Sequence, residues 1–143
     1  MAYWLMKSEP ETWSWAQQKK AGKKGAEWDS VRNFQARNNM RAMKKGDLAL
    51  FYHTGEEKAC VGIVKVVKEA HPDSTDGTGQ WECVDVAAVA DLPRPVTLAE
   101  IKATPQLKDM VLVRRARLSV QPVTAVEWRK ICAMGGLADP PRA

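Results

Sequence analysis

Short apolar runs alternate with turn-forming residues along the whole chain, and this pattern constrains the fold more than any other feature. The runs Leu48–His53, 58–68 and 81–91 have the length and the composition of β-strands. Gly62 marks a bend or bulge inside the second run, and the proline-rich segment 92–95 is expected to end the third. Strands joined by turns and short helices predict an α+β fold, a small and mostly antiparallel β-barrel with peripheral helices.

Capping signals place the helices between these strands. Ser or Thr precedes Glu or Gln at the spacing of a capping box in three places: Ser14 with Gln17, Thr97 with Glu100, and Thr124 with Glu127. Asp29 and Ser30 are expected to cap a longer helix over 31–43, and Gly135 to follow the end of the last helix. The alternating run 111–120 predicts a further strand.

The length and composition of the chain are those of one globular domain. Its 143 residues are 45% hydrophobic and 27% charged, without a visible linker or internal repeat. We predict a single domain over residues 1–137 and a flexible C-terminal tail over 138–143. Apolar runs such as Ala2–Met6 are far shorter than the ~18 residues that a membrane-spanning helix needs.

The cysteine pattern and the absence of a secretory signal indicate an intracellular protein. Cys60, Cys83 and Cys132 have neither the even number of a disulfide framework nor the paired spacing of a zinc site. We therefore predict buried structural thiols, no metal site and a cytoplasmic location, or a nuclear one if the source is eukaryotic.

Positive charge is concentrated in the first half of the sequence. The formal net charge is +5; residues 1–70 hold 13 Lys and Arg against 8 Asp and Glu, whereas residues 71–143 hold nine of each. A one-sided basic excess is the electrostatic footprint expected of a protein that binds a polyanion such as nucleic acid. The alternative is a surface whose charge serves solubility alone.

Motifs of the common enzyme classes are absent from the sequence. It lacks the Gly-x-Ser-x-Gly nucleophile elbow, the His-Glu-x-x-His zinc motif, the phosphate loop and the Rossmann fingerprint. Its two histidines, His53 and His71, are too few for a multi-histidine metal centre. We therefore expect no cofactor and no enzymatic activity, with His53 either a hydrogen-bonded strand-end residue or a ligand contact.

Polar and aromatic side chains collect instead at predicted strand ends and helix starts. They form five short groups: Lys7-Ser8, Trp28-Asp29, Arg32-Asn33, Tyr52-His53 and Arg117-Leu118-Ser119. If these groups meet at the mouth of a barrel, they can hold one planar, hydrogen-bonding ligand. The chain has six tryptophans, more than a core of this size requires, so one or two are expected to line such a pocket.

Several ordered segments closely resemble the EVE domain, over about residues 2–137. They are residues 3–10, 28–39, 45–47 with 51–53, and 117–123. The resemblance implies a PUA-like barrel related to the YTH domain, which reads methylated adenine in RNA. Members of the family are regarded as readers of modified bases, particularly modified cytosines in DNA. The resemblance thus implies a non-enzymatic module that binds nucleic acid, DNA rather than RNA, and holds a modified base in an aromatic-lined pocket.

The resemblance also assigns residues to the base pocket. These are Lys7, Ser8, Trp28, Asp29, Arg32, Asn33, Tyr52, His53, Arg117 and Ser119. Trp28 is expected to form one wall of an aromatic cage, and the candidates for the second wall are Tyr52, Trp4 and Trp81. A place in the core is the alternative for Trp28. Ser30 stands where many relatives carry glycine.

We expect basic residues in the first half of the chain to contact phosphates. Such contacts would position a nucleic-acid strand without reading its base sequence. The expected residues are Lys19, Lys20, Lys23, Lys24, Arg37, Arg41 and Lys44. Two other functions remain open from the sequence: an RNA-binding module in RNA metabolism, and a small-molecule-binding enzyme that uses the same pocket.

Overall fold

Six strands and five α-helices form within residues 2–142, the part of the chain that the computed structural model describes. Met1 and Ala143, the outer ends of the predicted domain and tail, lie outside the described residues. The strands are β1 (Tyr3–Ser8), β2 (Ala26–Glu27), β3 (Leu48–His53), β4 (Ala59–Pro72), β5 (Glu82–Thr97) and β6 (Val120–Val123). The helices are α1 (Trp15–Lys20), α2 (Phe34–Ala42), α3 (Leu98–Lys102), α4 (Val111–Arg114) and α5 (Ala125–Met134).

The strands form one sheet in the order β2-β5-β4-β3-β1-β6. β1 runs parallel to β3, with Leu5 opposite Leu50, and the other neighbouring pairs in the described sheet are antiparallel. The predicted α+β class with a mostly antiparallel sheet is therefore confirmed. The sheet is not closed, because β2 and β6 lie at its two ends and do not pair within residues 2–142. The expected barrel is thus an open sheet with helices packed on it.

Each face of the sheet carries a buried hydrophobic core. All six residues of β3 are buried, as the continuous apolarity of this strand predicts. Alternate residues of β1 and β3 enter opposite cores. Met6 and Phe51 pack on the face that α2 covers, and Leu5 and Leu50 pack on the face that α5 covers. The cleft described below borders the first of these two cores.

The short-range sequence signals are confirmed. Each of the three predicted capping boxes has both of its reciprocal hydrogen bonds, at Ser14, Thr97 and Thr124, and Gly135 ends α5. The register of β4 shifts beside Gly62 against both of its neighbours. A Cβ atom at this glycine would overlap the Trp15 ring, so the bulge also makes room for the indole.

The predicted cap of the longer helix is wrong. Asn33, and not Asp29 or Ser30, caps α2, because the Asn33 side chain accepts the Ala36 N–H at 2.9 Å. Ser30 has a φ of 65°, a left-handed conformation that cannot begin a right-handed helix. Its N–H donates instead to Asp73 at 2.8 Å. Residues 28–33 therefore form a loop, and α2 begins later than predicted.

Two further strand predictions are corrected by tertiary packing. The run 111–120 is not one strand: Leu112 is buried in the second core on α4, residues 115–119 form a loop, and only β6 is a strand. β5 continues through 92–95 to Thr97. Pro93 and Pro95 are tolerated in this strand because the β4–β5 register breaks between Asp91 and Val96. Their lack of an N–H therefore removes no hydrogen bond between the two strands.

The three cysteines are buried and unpaired, which fits the prediction of structural thiols. Burial raises the pKa of Cys132 to about 12. Within residues 2–142 the helices are too short and too polar for any of them to cross a membrane.

Candidate functional site

A cleft of about 550 Å³ opens where the end of β1, the loop after β2 and the residue preceding β6 come together. Its lining residues are Lys7, Ser8, Glu9, Thr12, Trp13, Ala26, Glu27, Trp28, Asp29, Ser30, Val31, Arg32 and Ser119. The volume lies within the ~300–1,000 Å³ that is typical of small-ligand sites. Six of the ten predicted pocket residues line this cleft: Lys7, Ser8, Trp28, Asp29, Arg32 and Ser119.

Two tryptophans, Trp13 and Trp28, line the cleft. Trp28 is only 6% exposed, and its ring meets Phe51 edge-on at 5.3 Å, so it belongs to the core as well as to the cleft. The Trp13 indole N–H donates to Gln18 at 2.9 Å, and its backbone carbonyl accepts from the Ser8 hydroxyl at 2.5 Å. Both indoles are therefore held in fixed positions.

Trp13 is absent from the residues that the sequence predicts for the pocket. The three candidates for a second aromatic wall lie elsewhere: Tyr52 in the second core, Trp4 bonded to buried Asp47, and Trp81 stacked on Phe34. The sequence did contain one indication of its role: Trp13 directly precedes the helix cap Ser14, in the loop that follows Lys7 and Ser8 at the end of β1.

The cleft holds hydrogen-bond donors and acceptors side by side. The Lys7 ammonium donates to the Ala116 carbonyl at 2.6 Å, and burial lowers the pKa of this lysine from its usual value. Three carboxylate residues line the same cleft: Glu9, Glu27 and Asp29. A planar ligand with both donor and acceptor groups on its edge could pair with such a lining.

The buried carboxylate of Asp73 holds the loop that carries Trp28, Asp29 and Arg32. It accepts hydrogen bonds from the Ser30 N–H at 2.8 Å and from the Arg32 guanidinium at 3.2 Å. Burial alone would raise the pKa of Asp73, but hydrogen bonds from Thr75, Ser30 and Arg32 outweigh it and hold the pKa below its usual value. Asp73 comes from the β4–β5 connection, so its role in the site was not visible in the sequence.

Four of the predicted pocket residues lie outside the cleft lining. Asn33 caps α2 and, with Arg117, lines a second cavity of about 400 Å³. Tyr52 is 3% exposed, and burial together with the nearby Cys60 raises its pKa to about 12. The assignment of Asn33, Arg117 and Tyr52 to the base pocket stays a prediction, and their positions in the structure do not favour it.

His53, the fourth of these residues, is engaged by the protein on both ring nitrogens. Nε2 accepts the Trp15 N–H at 3.0 Å, so the proton lies on Nδ1, which faces Glu57 at 2.6 Å. The ring therefore fixes the start of α1 to the end of β3. Of the two roles that the sequence allowed for His53, a hydrogen-bonded strand-end residue or a ligand contact, these contacts match the first.

The predicted phosphate-binding residues divide into free and engaged cations. Within the described chain four are exposed without an ion-pair partner: Lys20, Lys23, Lys24 and Lys44. Lys19 pairs with Asp91 at 3.0 Å and Arg41 pairs with Glu82, both at the surface. The Arg37 guanidinium lies over aromatic rings.

One group of side chains within residues 2–142 has metal-ligand chemistry. The ligand atoms of Glu27, His71, Cys83 and Asp85 lie within 4.8 Å of one another. Protein partners already engage three of them, because His71 Nε2 lies 2.7 Å from Asp85 and the Ser74 hydroxyl donates to Glu27 at 2.6 Å. The absence of a metal site therefore stays a prediction.

Comparison with known proteins assigns the chain to a family. The family model of the EVE domain matches residues 2–134. The chain belongs to the EVE domain family. This EVE domain is 40% identical to human thymocyte nuclear protein 1 over an alignment of 159 positions, gaps included, that covers 89% of this chain and 71% of that protein. The resemblance noted in the sequence is thereby confirmed.

Solved structures agree with this assignment. A crystal structure of an Agrobacterium tumefaciens protein is 56% identical, with a TM-score of 0.98, and the match covers 100% of this chain and 99% of that one. Human THYN1 in complex with 5-methylcytosine-containing DNA is 38% identical, with a TM-score of 0.89, and the match covers 99% of this chain and 100% of that one.

A more distant likeness supports the predicted relation to the YTH fold. The YTH domain of Zygosaccharomyces rouxii MRB1, solved with N6-methyladenosine RNA, is 18% identical with a TM-score of 0.59, over 99% of this chain and 88% of that one. At this identity the match concerns the fold alone. It agrees with the PUA-like architecture that the sequence resemblance implied.

Proposed function

We propose that this EVE domain is a non-enzymatic reader that binds nucleic acid and holds one modified base, a modified cytosine in DNA, in the cleft at the end of β1. The observation that carries the proposal is the lining of the cleft, where Trp13 and Trp28 stand beside Lys7 and three carboxylates. The human relative with a TM-score of 0.89, solved with 5-methylcytosine-containing DNA, supports the same ligand class.

Stacking against the indoles supplies the binding energy for a base in this cleft. A base must leave its own stack to enter, which costs a few kcal/mol. Each aromatic face that it meets returns about 1–3 kcal/mol. Because hydrogen bonds hold the Trp13 indole and core packing holds Trp28, little side-chain freedom is lost on binding.

The polar lining suits the edge of a cytosine. Cytosine presents an amino donor next to ring and carbonyl acceptors. The carboxylates of Glu27 and Asp29 can accept from the amino group, while the Lys7 ammonium, which has protons beyond the one it donates to Ala116, offers a donor to the acceptors. A methyl group buried against an indole adds about 0.8 kcal/mol, or roughly a fourfold preference.

The contacts of His53 support a binding role over a catalytic one. General-base chemistry needs a ring nitrogen that can reach the substrate, and both nitrogens of His53 face protein groups. The free lysines Lys20, Lys23, Lys24 and Lys44 can instead contact the phosphates of any strand.

The test is a titration of the purified protein with labelled oligonucleotides of one sequence, carrying cytosine or 5-methylcytosine, as DNA and as RNA. We expect the methylated DNA to bind several-fold more tightly than the plain DNA. A preference for RNA of either kind would replace the proposal with an RNA-binding module, and equal binding of all four probes would exclude a base reader.

A further inference from the structure

A second aromatic surface lies outside the cleft. Phe34, the first residue of α2, is 54% exposed although it is a large apolar side chain. Its ring stacks on Trp81 with the centroids 4.9 Å apart and the planes 28° from parallel. Phe34 thus rests on a fixed partner while much of its own surface faces solvent.

Two arginines surround this aromatic pair. The Arg37 guanidinium lies 4.9 Å from the Phe34 centroid and 5.5 Å from the Trp81 centroid, and the Arg32 guanidinium lies 5.6 Å from Trp81. These distances are within the range of cation–π interaction. Arg37 also donates to the Gln80 carbonyl at 3.0 Å, which fixes its position. The result is a rigid apolar surface with positive charge at its margin.

Arg32 connects this surface to the cleft. Its side chain lines the cleft and also lies over Trp81, so one arginine spans both places. Its guanidinium is held by Asp73 at 3.2 Å and Thr75 at 3.0 Å. A nucleotide strand that holds one base in the cleft and follows Arg32 would therefore reach the aromatic pair.

We propose that Phe34 and Trp81, with Arg32 and Arg37, form a second nucleic-acid subsite that stacks a base neighbouring the one in the cleft. The proposal rests on the proposed function. An aromatic side chain that is 54% exposed can stack on any base, and guanidinium groups beside it suit the phosphate that follows. The subsite contributes affinity for the strand and does not distinguish a modified base from a plain one.

The test replaces Phe34 and measures affinity and methyl preference together. Phe34→Ala should weaken the binding of methylated and plain oligonucleotides alike, by about 5- to 150-fold, the usual effect of removing one aromatic ring on which a base stacks. The ratio between the two affinities should stay at its wild-type value. Phe34→Trp should bind as well as wild type, and 5-methyl-dCMP, which reaches only the cleft, should bind Phe34→Ala and wild type equally.

Val126 provides a matched control, because it is an apolar residue that is 60% exposed near the start of α5. Val126→Ala should leave both affinities unchanged, and circular dichroism should show that each variant is folded. Wild-type affinity of Phe34→Ala for both oligonucleotides would overturn the subsite. A loss of methyl preference in Phe34→Ala would also overturn it, since Phe34 would then act through the cleft. Failure of wild-type protein to bind any oligonucleotide would instead overturn the proposed function.

Discussion

Replacing Trp28 tests two roles of this residue, because its side chain lines the cleft and also packs in the core. It lines the cleft, yet it is 6% exposed and packs edge-on against Phe51 at 5.3 Å. We expect Trp28→Ala to lower both the free energy of unfolding and the affinity for a modified base. The two losses have different causes and can be measured separately.

The expected loss of stability follows from where the vacated volume lies. Removing a tryptophan side chain from a sealed core costs about 3–5 kcal/mol, part of which is due to the cavity that remains. At Trp28 the vacated volume joins the cleft of about 550 Å³, which water can fill. The free energy of unfolding should therefore fall by an amount near the lower end, about 3 kcal/mol.

Trp128 is the matched control. It is 1% exposed, stacks on Tyr3 with centroids 4.5 Å apart, and belongs to the core on the other face of the sheet. Trp128→Ala leaves a sealed cavity, so its loss should lie near the upper end, about 5 kcal/mol. Its affinity for oligonucleotides, expressed per folded molecule, should not change.

The affinity of Trp28→Ala should fall by about 1–3 kcal/mol, which is the contribution of one stacked base. Urea unfolding monitored by circular dichroism gives the stability of each variant, and fluorescence anisotropy with a labelled 5-methylcytosine oligonucleotide gives the affinity at a temperature where all variants are folded. Trp28→Phe, which keeps a ring face, should be intermediate in both assays. The reasoning is refuted if Trp28→Ala loses as much stability as Trp128→Ala while its affinity per folded molecule equals that of the wild type.

Three further predictions concern phosphate binding, acid stability and chemistry. Replacing Lys23 and Lys24 by alanine should reduce the slope of log affinity against log salt by up to about 0.9 for each duplex phosphate that the protein no longer neutralises. An unchanged slope would show that these lysines do not contact phosphates. The pKa of Asp73 is held low in the folded protein. Its ionised carboxylate therefore stabilises the fold above the unfolded pKa of about 3.9, and this stabilisation is lost as the pH falls through the folded pKa. In urea unfolding between about pH 2 and 7, the free energy of unfolding of Asp73→Asn should depend less on pH than that of the wild type. Mass spectrometry should recover a modified oligonucleotide intact after incubation, and base release that persists in a clean preparation would indicate an enzyme.

The parts of the fold that depend on neighbouring residues could be predicted from the sequence. The capping boxes are local, since each joins residues three positions apart. β3 reads as a strand because its six buried residues are nearly all apolar. Lys7 and Ser8 could be placed at a strand end for the same reason, whereas their place beside the cleft was implied by the family resemblance.

The parts that failed depend on contacts between distant segments. Ser30 takes its left-handed conformation with its N–H bonded to Asp73, 43 positions away, and no local pattern contains that information. The sequence makes Trp81 a candidate for the pocket wall, but this ring stacks on Phe34 across a similar separation. The alternation of 111–120 predicts one strand, whereas burial of Leu112 in the second core accompanies a short helix there.

Affinity and selectivity should come from different parts of the surface. One buried methyl group gives only about a fourfold preference, so most of the affinity must arise from contacts that a strand with plain cytosine makes equally well. The cleft can select more strongly among bases than between methylated and plain cytosine. A base with the wrong edge would leave a carboxylate of Glu27 or Asp29, or the Lys7 ammonium, facing a group with which it cannot pair. Each such unpaired group costs about 1–3 kcal/mol, or roughly 5- to 150-fold in affinity. Replacing the target cytosine by thymine should therefore weaken binding more than removing its methyl group does.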